Sequence, residues 1–144
     1  MIDALIRRAG PEENETVRAV VQTVVDEVYG GLWASPPLPV DEDWHSCWVA
    51  VQDAKIIGVA KTSGEWLDDL WVLREYRECG VGQNLLARAE DEIAGRGHGT
   101  LRLRVVQSNE AAIDFYRRHG WRTARAFPHE KFPITMLEMC KAVR

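Results

Sequence analysis

Valines recur at helical spacing near the start of the chain, at positions 17, 20, 21, 24, 25 and 28. This spacing places them on one face and predicts an amphipathic helix, although the residues are β-branched. Pro11 follows Gly10 and opens a first turn rich in glutamate, which is typical of a helix N-terminus. Gly30 and Gly31 end the pattern, so we expect the helix to stop there.

Two further segments carry apolar residues at helical spacing. The segment 83–94 is followed by glycine and predicts a second helix. The segment 109–119 predicts a third helix, in which Ser108 or Asn109 is the N-cap and Gly120 is the stop.

A period of two residues marks the strands. Leu101, Leu103 and Val105 alternate with two arginines, which predicts a strand with one wetter face. Two β-branched or aromatic runs, at 47–51 and 55–61, are separated by three residues and predict a β-hairpin. Other predicted strands lie at 4–8, 65–73, 121–126 and 134–142.

The order of these elements, βα, ββ, βα, βα, ββ, predicts an α/β fold of the mixed α+β kind. Such a fold has one mixed sheet with helices on its faces. The segment 30–44 has three prolines and no periodicity, which predicts a long loop. The chain has 144 residues, 46% of them hydrophobic, so we expect a single domain over residues 1–144.

Charge and cysteine content exclude several function classes. Eighteen Lys plus Arg against 22 Asp plus Glu give a net charge of −4, which disfavours nucleic acid as a partner. No apolar run is long enough to span a bilayer and no signal peptide is visible, so we expect a cytoplasmic protein without a membrane partner. Cys47, Cys79 and Cys140 lack the spacing of a disulfide framework or a zinc site, and we expect no metal.

The most informative segment is a strand, then a turn with Gly80 and Gly82, then the start of a helix. Glycines there let the backbone bend so that N–H groups at the helix N-terminus converge on an anion such as a pyrophosphate. Two glycines in a tight turn are weak evidence by themselves. Neither the P-loop motif nor a third glycine, replaced here by Leu85, is present.

This segment resembles motif A of the GCN5-related N-acetyltransferase family, (Arg/Gln)-x-x-Gly-x-(Gly/Ala), which Arg77, Gly80 and Gly82 fill. The stretch 109–121 also resembles the family's Asn-x-x-Ala-x-x-(Phe/Leu)-Tyr-x-x-x-Gly-(Phe/Trp) pattern. The resemblance implies a mostly antiparallel sheet of six to seven strands with about four helices. It also implies acetyl-CoA, or another acyl-CoA, as the donor.

By this resemblance, strand backbone groups bind the pantetheine arm and the loop with the first helical turn binds the pyrophosphate. Asn109 would touch the pantetheine arm, and it is equally well explained as a helix N-cap. Glu78 and Cys79 depart from the family, which often has glycine and a basic residue there, so we expect weaker donor binding unless Glu78 points outward. The implied donor-binding residues are Leu70, Trp71, Val72, Arg77, Glu78, Cys79, Gly80, Val81, Gly82, Gln83, Asn84, Asn109 and Tyr116.

The resemblance also implies catalytic roles. Tyr116 would protonate the coenzyme A thiolate and the N–H of Val72 would bind the oxyanion. Adjacent Asp68 and Asp69 face opposite sides of a strand, so only one can reach the acetyl group, and Asp69 is favoured as the base. Glu65 is a further candidate. Two alternatives stay open: Tyr116 is an ordinary aromatic residue of an amphipathic helix, and the acids are solvated residues without a catalytic role.

The acceptor side would be built by the segments 30–44 and 127–133, with Trp33 and Trp44 as an aromatic wall and acids at 41–43 attracting a cation. We therefore expect a small cationic amine or an amino-terminal amine as acceptor. The alternative is an acyl-CoA-binding sensor of the same fold without turnover. Cys79 could be a reactive thiol at a helix N-terminus, although incidental packing explains it better. A homodimer through an edge strand is compatible with the sequence.

Overall fold

The computed structural model describes residues 3–30, 43–44 and 46–143. Its strands are β1 (Leu5–Arg8), β2 (Trp48–Gln52), β3 (Lys55–Ser63), β4 (Trp66–Val72), β5 (Thr100–Val106), β6 (Arg122–Pro128) and β7 (Thr135–Ala142). Its α-helices are α1 (Asn14–Tyr29), α2 (Val81–Gly95) and α3 (Glu110–Arg118), and short 3₁₀ segments lie at Pro11–Glu13 and Arg74–Tyr76.

The element order is the predicted one, and the α/β class with a mixed sheet is confirmed. Within the described residues the sheet has seven strands, in the order β1-β2-β3-β4-β5-β7-β6. β4 and β5 are parallel, whereas β1–β2, β2–β3, β5–β7 and β6–β7 are antiparallel. In the described part of the chain there are three α-helices, where the resemblance implied about four.

The chain divides into two compact units. One comprises Met1–Lys61 with Asp69–Ala89, and the other comprises Thr62–Asp68 with Glu90–Arg144. Both β4 and α2 contribute residues to each unit.

The first unit is built on the predicted valine face. Within α1, Val17, Val21, Val24 and Val25 are buried, whereas the other two predicted valines are half-buried. The prediction placed the helix start at Pro11, but residues 11–13 form a 3₁₀ segment and the α-helix begins at Asn14. Gly30 follows the helix with φ −57°, so it ends α1 without a left-handed cap.

The predicted β2–β3 hairpin turns at Asp53 and Ala54. Both residues have positive φ, 52° and 63°, which is the conformation of a two-residue type I′ turn. This turn matches the twist of the paired strands, although neither residue is the glycine that the conformation prefers.

The second unit confirms the alternation predicted for β5. Leu101, Leu103 and Val105 are buried, whereas Arg102 and Arg104 are half-buried and exposed. Arg102 bridges two carboxylates and Arg104 lies over the ring of Trp66 at 4.2 Å, so both guanidinium groups lie on the wetter face. None of the helices in the described segments has the length and apolar character needed to cross a membrane.

Candidate active site

The end of β4 directs two backbone groups away from β3. The N–H of Leu73 donates to the carbonyl of Ile57 on β3 at 2.9 Å. The Trp71 carbonyl lies beside Gly58 on β3, 3.3 Å from where a Cβ on that glycine would lie. Because N–H and C=O of a trans peptide point in opposite directions, the N–H and C=O of Val72 both point away from β3. The predicted oxyanion donor therefore faces the other edge of β4.

The predicted glycine loop leads directly into α2. Gly80 has φ 87°, which favours glycine, and its carbonyl accepts a hydrogen bond from the N–H of Asn84 at 3.1 Å. Helix geometry gives no intrahelical partner to the N–H groups of Val81, Gly82 and Gln83. These three N–H groups, together with the positive end of the helix dipole, give the kind of helix terminus that can bind an anion. Asn84 was expected to contribute its N–H as well, but that N–H is already bonded within the helix.

Arg77 was expected to bind the cofactor, but its side chain is engaged by the protein. Its Nε donates to the Val72 carbonyl at 3.1 Å, and its Nη2 donates to the carboxylate of Glu27 on α1. The backbone N–H of Arg77 donates to the Arg74 carbonyl at 3.3 Å. In this structure Arg77 therefore closes the loop onto the end of β4.

Glu78 and Cys79 occupy the turn between Arg77 and Gly80. Glu78 has φ 61°, a left-handed conformation that a non-glycine residue adopts at a cost. The side chain of Glu78 is exposed, and Cys79 is a free, half-buried cysteine. The family's common glycine at the position of Glu78 would adopt this backbone without strain.

Gly58 is a site residue that the sequence analysis missed. A Cβ there would lie 2.8 Å from Cδ1 of Leu85 and 3.3 Å from Cγ1 of Val81, so the missing side chain lets α2 begin close to β3. An isolated glycine inside a strand pattern signals such a close approach and could have revealed this position.

The two candidate bases have different surroundings. Asp69 is half-buried and accepts a hydrogen bond from Nε1 of Trp71 at 2.9 Å. Asp68 is exposed and accepts one from the hydroxyl of Ser63 at 2.5 Å. The third candidate, Glu65, forms an ion pair with Arg102 at 3.1 Å, which favours a structural role for it.

The indole that bonds Asp69 has an aromatic neighbour, and the charge of Asp69 acts on a buried thiol of the first unit. Trp71 packs edge-to-face on Tyr29, with ring centroids 6.1 Å apart. Burial raises the pKa of the Cys47 thiol to about 12; the charge of Lys61 lowers this pKa and that of Asp69 raises it. Asp69 and Lys61 thus act on the same buried thiol, and Cys47 stays protonated at neutral pH.

The predicted acceptor wall is only partly within the described residues. Trp44 is 1% exposed and its ring lies 5.0 Å from Nζ of Lys61, so it is a core residue and not an exposed wall. Trp33 and the acids at 41 and 42 lie outside the described residues. The predicted closing segment continues from β6, where Nδ1 of His129 accepts hydrogen bonds from the N–H groups of Lys131 and Phe132.

The second unit contains the two site residues predicted on the third helix. Asn109 is the N-cap of α3, and its side chain accepts a hydrogen bond from the Ala112 N–H at 3.2 Å. Tyr116 is 9% exposed, and its ring contacts those of Phe115 and Trp121 at centroid distances of 5.4 and 6.0 Å. The N-cap interpretation of Asn109 is therefore confirmed, and Tyr116 lies on the buried face of its helix.

Comparison with known proteins gives concordant sequence matches. The model of the acetyltransferase (GNAT) family matches residues 18–121. The peptidyl-lysine N-acetyltransferase YjaB of Escherichia coli K12 is 29% identical over an alignment of 124 residues, and the match covers 81% of each chain. The thialysine N-epsilon-acetyltransferase of Bos taurus is 33% identical over 55 residues, which are 38% of this chain and 32% of that protein.

Solved structures show the same fold. The solution structure of apo-YjaB from Escherichia coli has a TM-score of 0.75 at 24% identity, over 96% of this chain and 97% of that chain. The PaiA N-acetyltransferase of Thermoplasma acidophilum, in complex with coenzyme A, has a TM-score of 0.75 at 19% identity, over 99% and 100% of the two chains.

Proposed function

The chain belongs to the acetyltransferase (GNAT) family and is an N-acetyltransferase, and from this premise we propose that it transfers the acetyl group of acetyl-CoA to a primary amine. The transfer is a direct attack in a ternary complex, and residues 1–144 work as one acetyltransferase domain. The observation that carries the proposal is the N-terminus of α2 after Gly80. Three N–H groups there have no intrahelical partner, and they lie at the positive end of the helix dipole.

Donor binding follows from the backbone of the first unit. The N–H groups of Val81, Gly82 and Gln83 bind the pyrophosphate, and the outward backbone groups of Leu70 bind the pantetheine amide as an added strand would. Asn109 contacts the pantetheine arm of the donor and at the same time caps the N-terminus of α3. Coenzyme A in the Thermoplasma relative supports the same donor here.

At the acyl centre, the neutral amine attacks the thioester carbonyl carbon and the C–S bond breaks. The Val72 N–H, which points away from β3, stabilises the oxyanion. The phenol of Tyr116 gives its proton to the leaving thiolate and is restored by solvent. Asp69, oriented by the indole of Trp71, takes the proton that the amine loses, directly or through water.

The acceptor is a small cationic amine or an amino-terminal amine. Asp69 presents a carboxylate at the edge of the Trp71 indole, which packs edge-to-face with Tyr29, and a carboxylate near aromatic rings favours an ammonium group before it is deprotonated. Two relatives are named for the acetylation of peptidyl-lysine and of thialysine, which supports a primary amine as the acceptor. The cytoplasmic location and the homodimer stay predictions.

Thermal unfolding with acetyl-CoA, coenzyme A and ATP is the first test, because a ligand that binds only the folded state raises the unfolding temperature. We expect a shift with both coenzyme A forms and none with ATP. Release of free thiol is then measured with a panel of amines. The absence of any shift at millimolar acetyl-CoA would refute the donor site, and turnover of neutral or anionic acceptors alone would refute the cationic acceptor.

The catalytic roles need a matched pair of variants. We expect Asp69→Asn to lower kcat/KM about 10²-fold or more, while Asp68→Asn, the neighbouring acid bonded to Ser63, stays within about threefold of the native enzyme. Tyr116→Phe should lower kcat without raising the Kd of coenzyme A. Binding of acetyl-CoA with no turnover for any amine would favour the sensor alternative.

A further inference from the structure

An ion pair joins α1 to the loop before α2. Glu27 lies in the last turn of α1, and its carboxylate accepts a hydrogen bond from Nη2 of Arg77, fifty residues later in the chain. Nη1 of Arg74 lies 3.9 Å from the other carboxylate oxygen. A negative charge in the last turn of a helix is opposed by the helix dipole, so the two arginines compensate an otherwise unfavourable position.

The guanidinium of Arg77 connects three elements. Its Nε holds the Val72 carbonyl at 3.1 Å while its Nη2 holds Glu27. The peptide that carries this carbonyl is bonded at its other end, because the Leu73 N–H donates to Ile57 on β3 at 2.9 Å. Arg77 therefore ties the loop to a fixed peptide at the end of β4 and to α1 at the same time.

Two functions are compatible with a basic residue at this position. Arg77 could bind a phosphate of the donor directly, or it could hold the loop whose N–H groups bind the phosphate. The bonds to Val72 and Glu27 use two of the five guanidinium N–H groups, so direct phosphate binding would be left to the other three. The two simultaneous hydrogen bonds, with the fork of the guanidinium satisfied in two directions, favour the holding function.

We propose that Glu27 is a positioning residue of the donor site. Through Arg77, Glu27 fixes the position of the backbone that leads to Gly80. It thereby holds the N–H groups of the first turn of α2 where the pyrophosphate binds. Only two residues, Glu78 and Cys79, separate Arg77 from Gly80, so a displacement of Arg77 is transmitted to the helix terminus. This inference rests on the proposed function.

The test compares Glu27→Gln with Asp26→Asn, which removes the same charge from the same turn of α1. Asp26 accepts a hydrogen bond from Gln22 and so serves as the control. We expect Glu27→Gln to raise the Kd of coenzyme A about fivefold or more, with kcat at saturating acetyl-CoA within about twofold of the native value. Asp26→Asn should leave both quantities unchanged.

A truncated donor distinguishes an effect on the pyrophosphate-binding loop from a general loss of enzyme activity. S-Acetylpantetheine lacks the pyrophosphate, so its kcat/KM should be equal for Glu27→Gln and the native enzyme, whereas kcat/KM for acetyl-CoA should fall. Arg77→Lys keeps the charge and loses the forked geometry. We expect it to bind coenzyme A as weakly as Glu27→Gln does, whereas a lysine ammonium would still attract a phosphate that binds directly at this position.

Each outcome separates this inference from the proposed function. If the native protein does not bind coenzyme A, the proposed function fails. If the native protein binds it and Glu27→Gln binds equally tightly, Glu27 has no positioning role. Tighter binding by Glu27→Gln would mean that Glu27 competes with the phosphates for Arg77, and it would overturn the inference. A loss with acetylpantetheine equal to that with acetyl-CoA would likewise contradict it.

Discussion

Replacing Glu78 by glycine should make the protein both more stable and a better binder of coenzyme A. Glu78 has φ 61° and stands between Arg77 and Gly80, in the loop that leads to the first turn of α2. A glutamate in this conformation is strained, and its carboxylate belongs to the loop just before the N–H groups that we propose to bind the pyrophosphate. The substitution removes both effects.

The two effects are of similar size. A non-glycine residue in the left-handed region costs about 1–2 kcal/mol of folding free energy. Glycine removes this cost, but it also raises the conformational entropy of the unfolded chain, which offsets about 0.4–1 kcal/mol of the gain. We therefore expect the free energy of unfolding to rise by about 0.5–1 kcal/mol. Loss of like-charge repulsion in solvent contributes about 0.5–1 kcal/mol to donor binding, or a two- to fivefold lower Kd.

Urea unfolding and titration calorimetry with coenzyme A measure the two quantities separately. Glu78→Gln is the matched control, because it removes the charge and keeps the strain, so it should improve binding without raising stability. The gain in binding should shrink at high ionic strength. A lower free energy of unfolding for Glu78→Gly, or an unchanged Kd for both variants, would refute the reasoning.

Three further predictions follow from particular contacts. Gly58→Ala places a methyl group 2.8 Å from a leucine of α2, so we expect a loss of about 1–3 kcal/mol in urea unfolding and weaker coenzyme A binding; an unchanged midpoint would contradict the close approach. Because burial raises the pKa of Cys47 to about 12, a thiol reagent at pH 8 should modify Cys79 first. Cys79→Ala should abolish the thiol modification and keep acetyl transfer. If the Cys79→Ala variant lost turnover while its affinity for the donor stayed the same, direct transfer would be excluded. Hydrogen bonds from Arg7 and the Gly10 N–H lower the pKa of Glu13 to about 2 from 4.5. Its contribution to stability is thus present above pH 4.5 and lost towards pH 2, so the difference in unfolding temperature between the native protein and Glu13→Gln should vanish over that range.

Local patterns predicted the elements because their causes are local. The valine spacing of α1, the alternation of β5 and the glycine after α3 each act within a few residues, and all three elements form where expected. The glycine loop was predicted for the same reason, since Gly80 and the start of α2 lie next to one another in the sequence. Boundaries were less accurate, as the 3₁₀ segment before α1 shows.

The sequence also indicated the family, since two motifs at a characteristic separation carry that information without any knowledge of contacts. It favoured Asp69 over Asp68 as the base by resemblance alone, without information on what either carboxylate contacts. The structure shows that the two carboxylates have different partners. Asp68 accepts a hydrogen bond from Ser63, whereas Asp69 accepts one from the indole of Trp71. The structure also places Trp44 in the core, where the sequence suggested an exposed wall.

What the sequence by itself determined is therefore the order of elements, the α/β class and the kind of loop that precedes α2, because periodicity and glycine placement act over short distances. The tertiary structure alone decided how that loop is held. Glu27 and Arg77 are far apart in the chain, and Gly58 meets Leu85 only when α2 lies on β3. No local rule pairs such residues, since their contacts exist only after the helices and strands have packed.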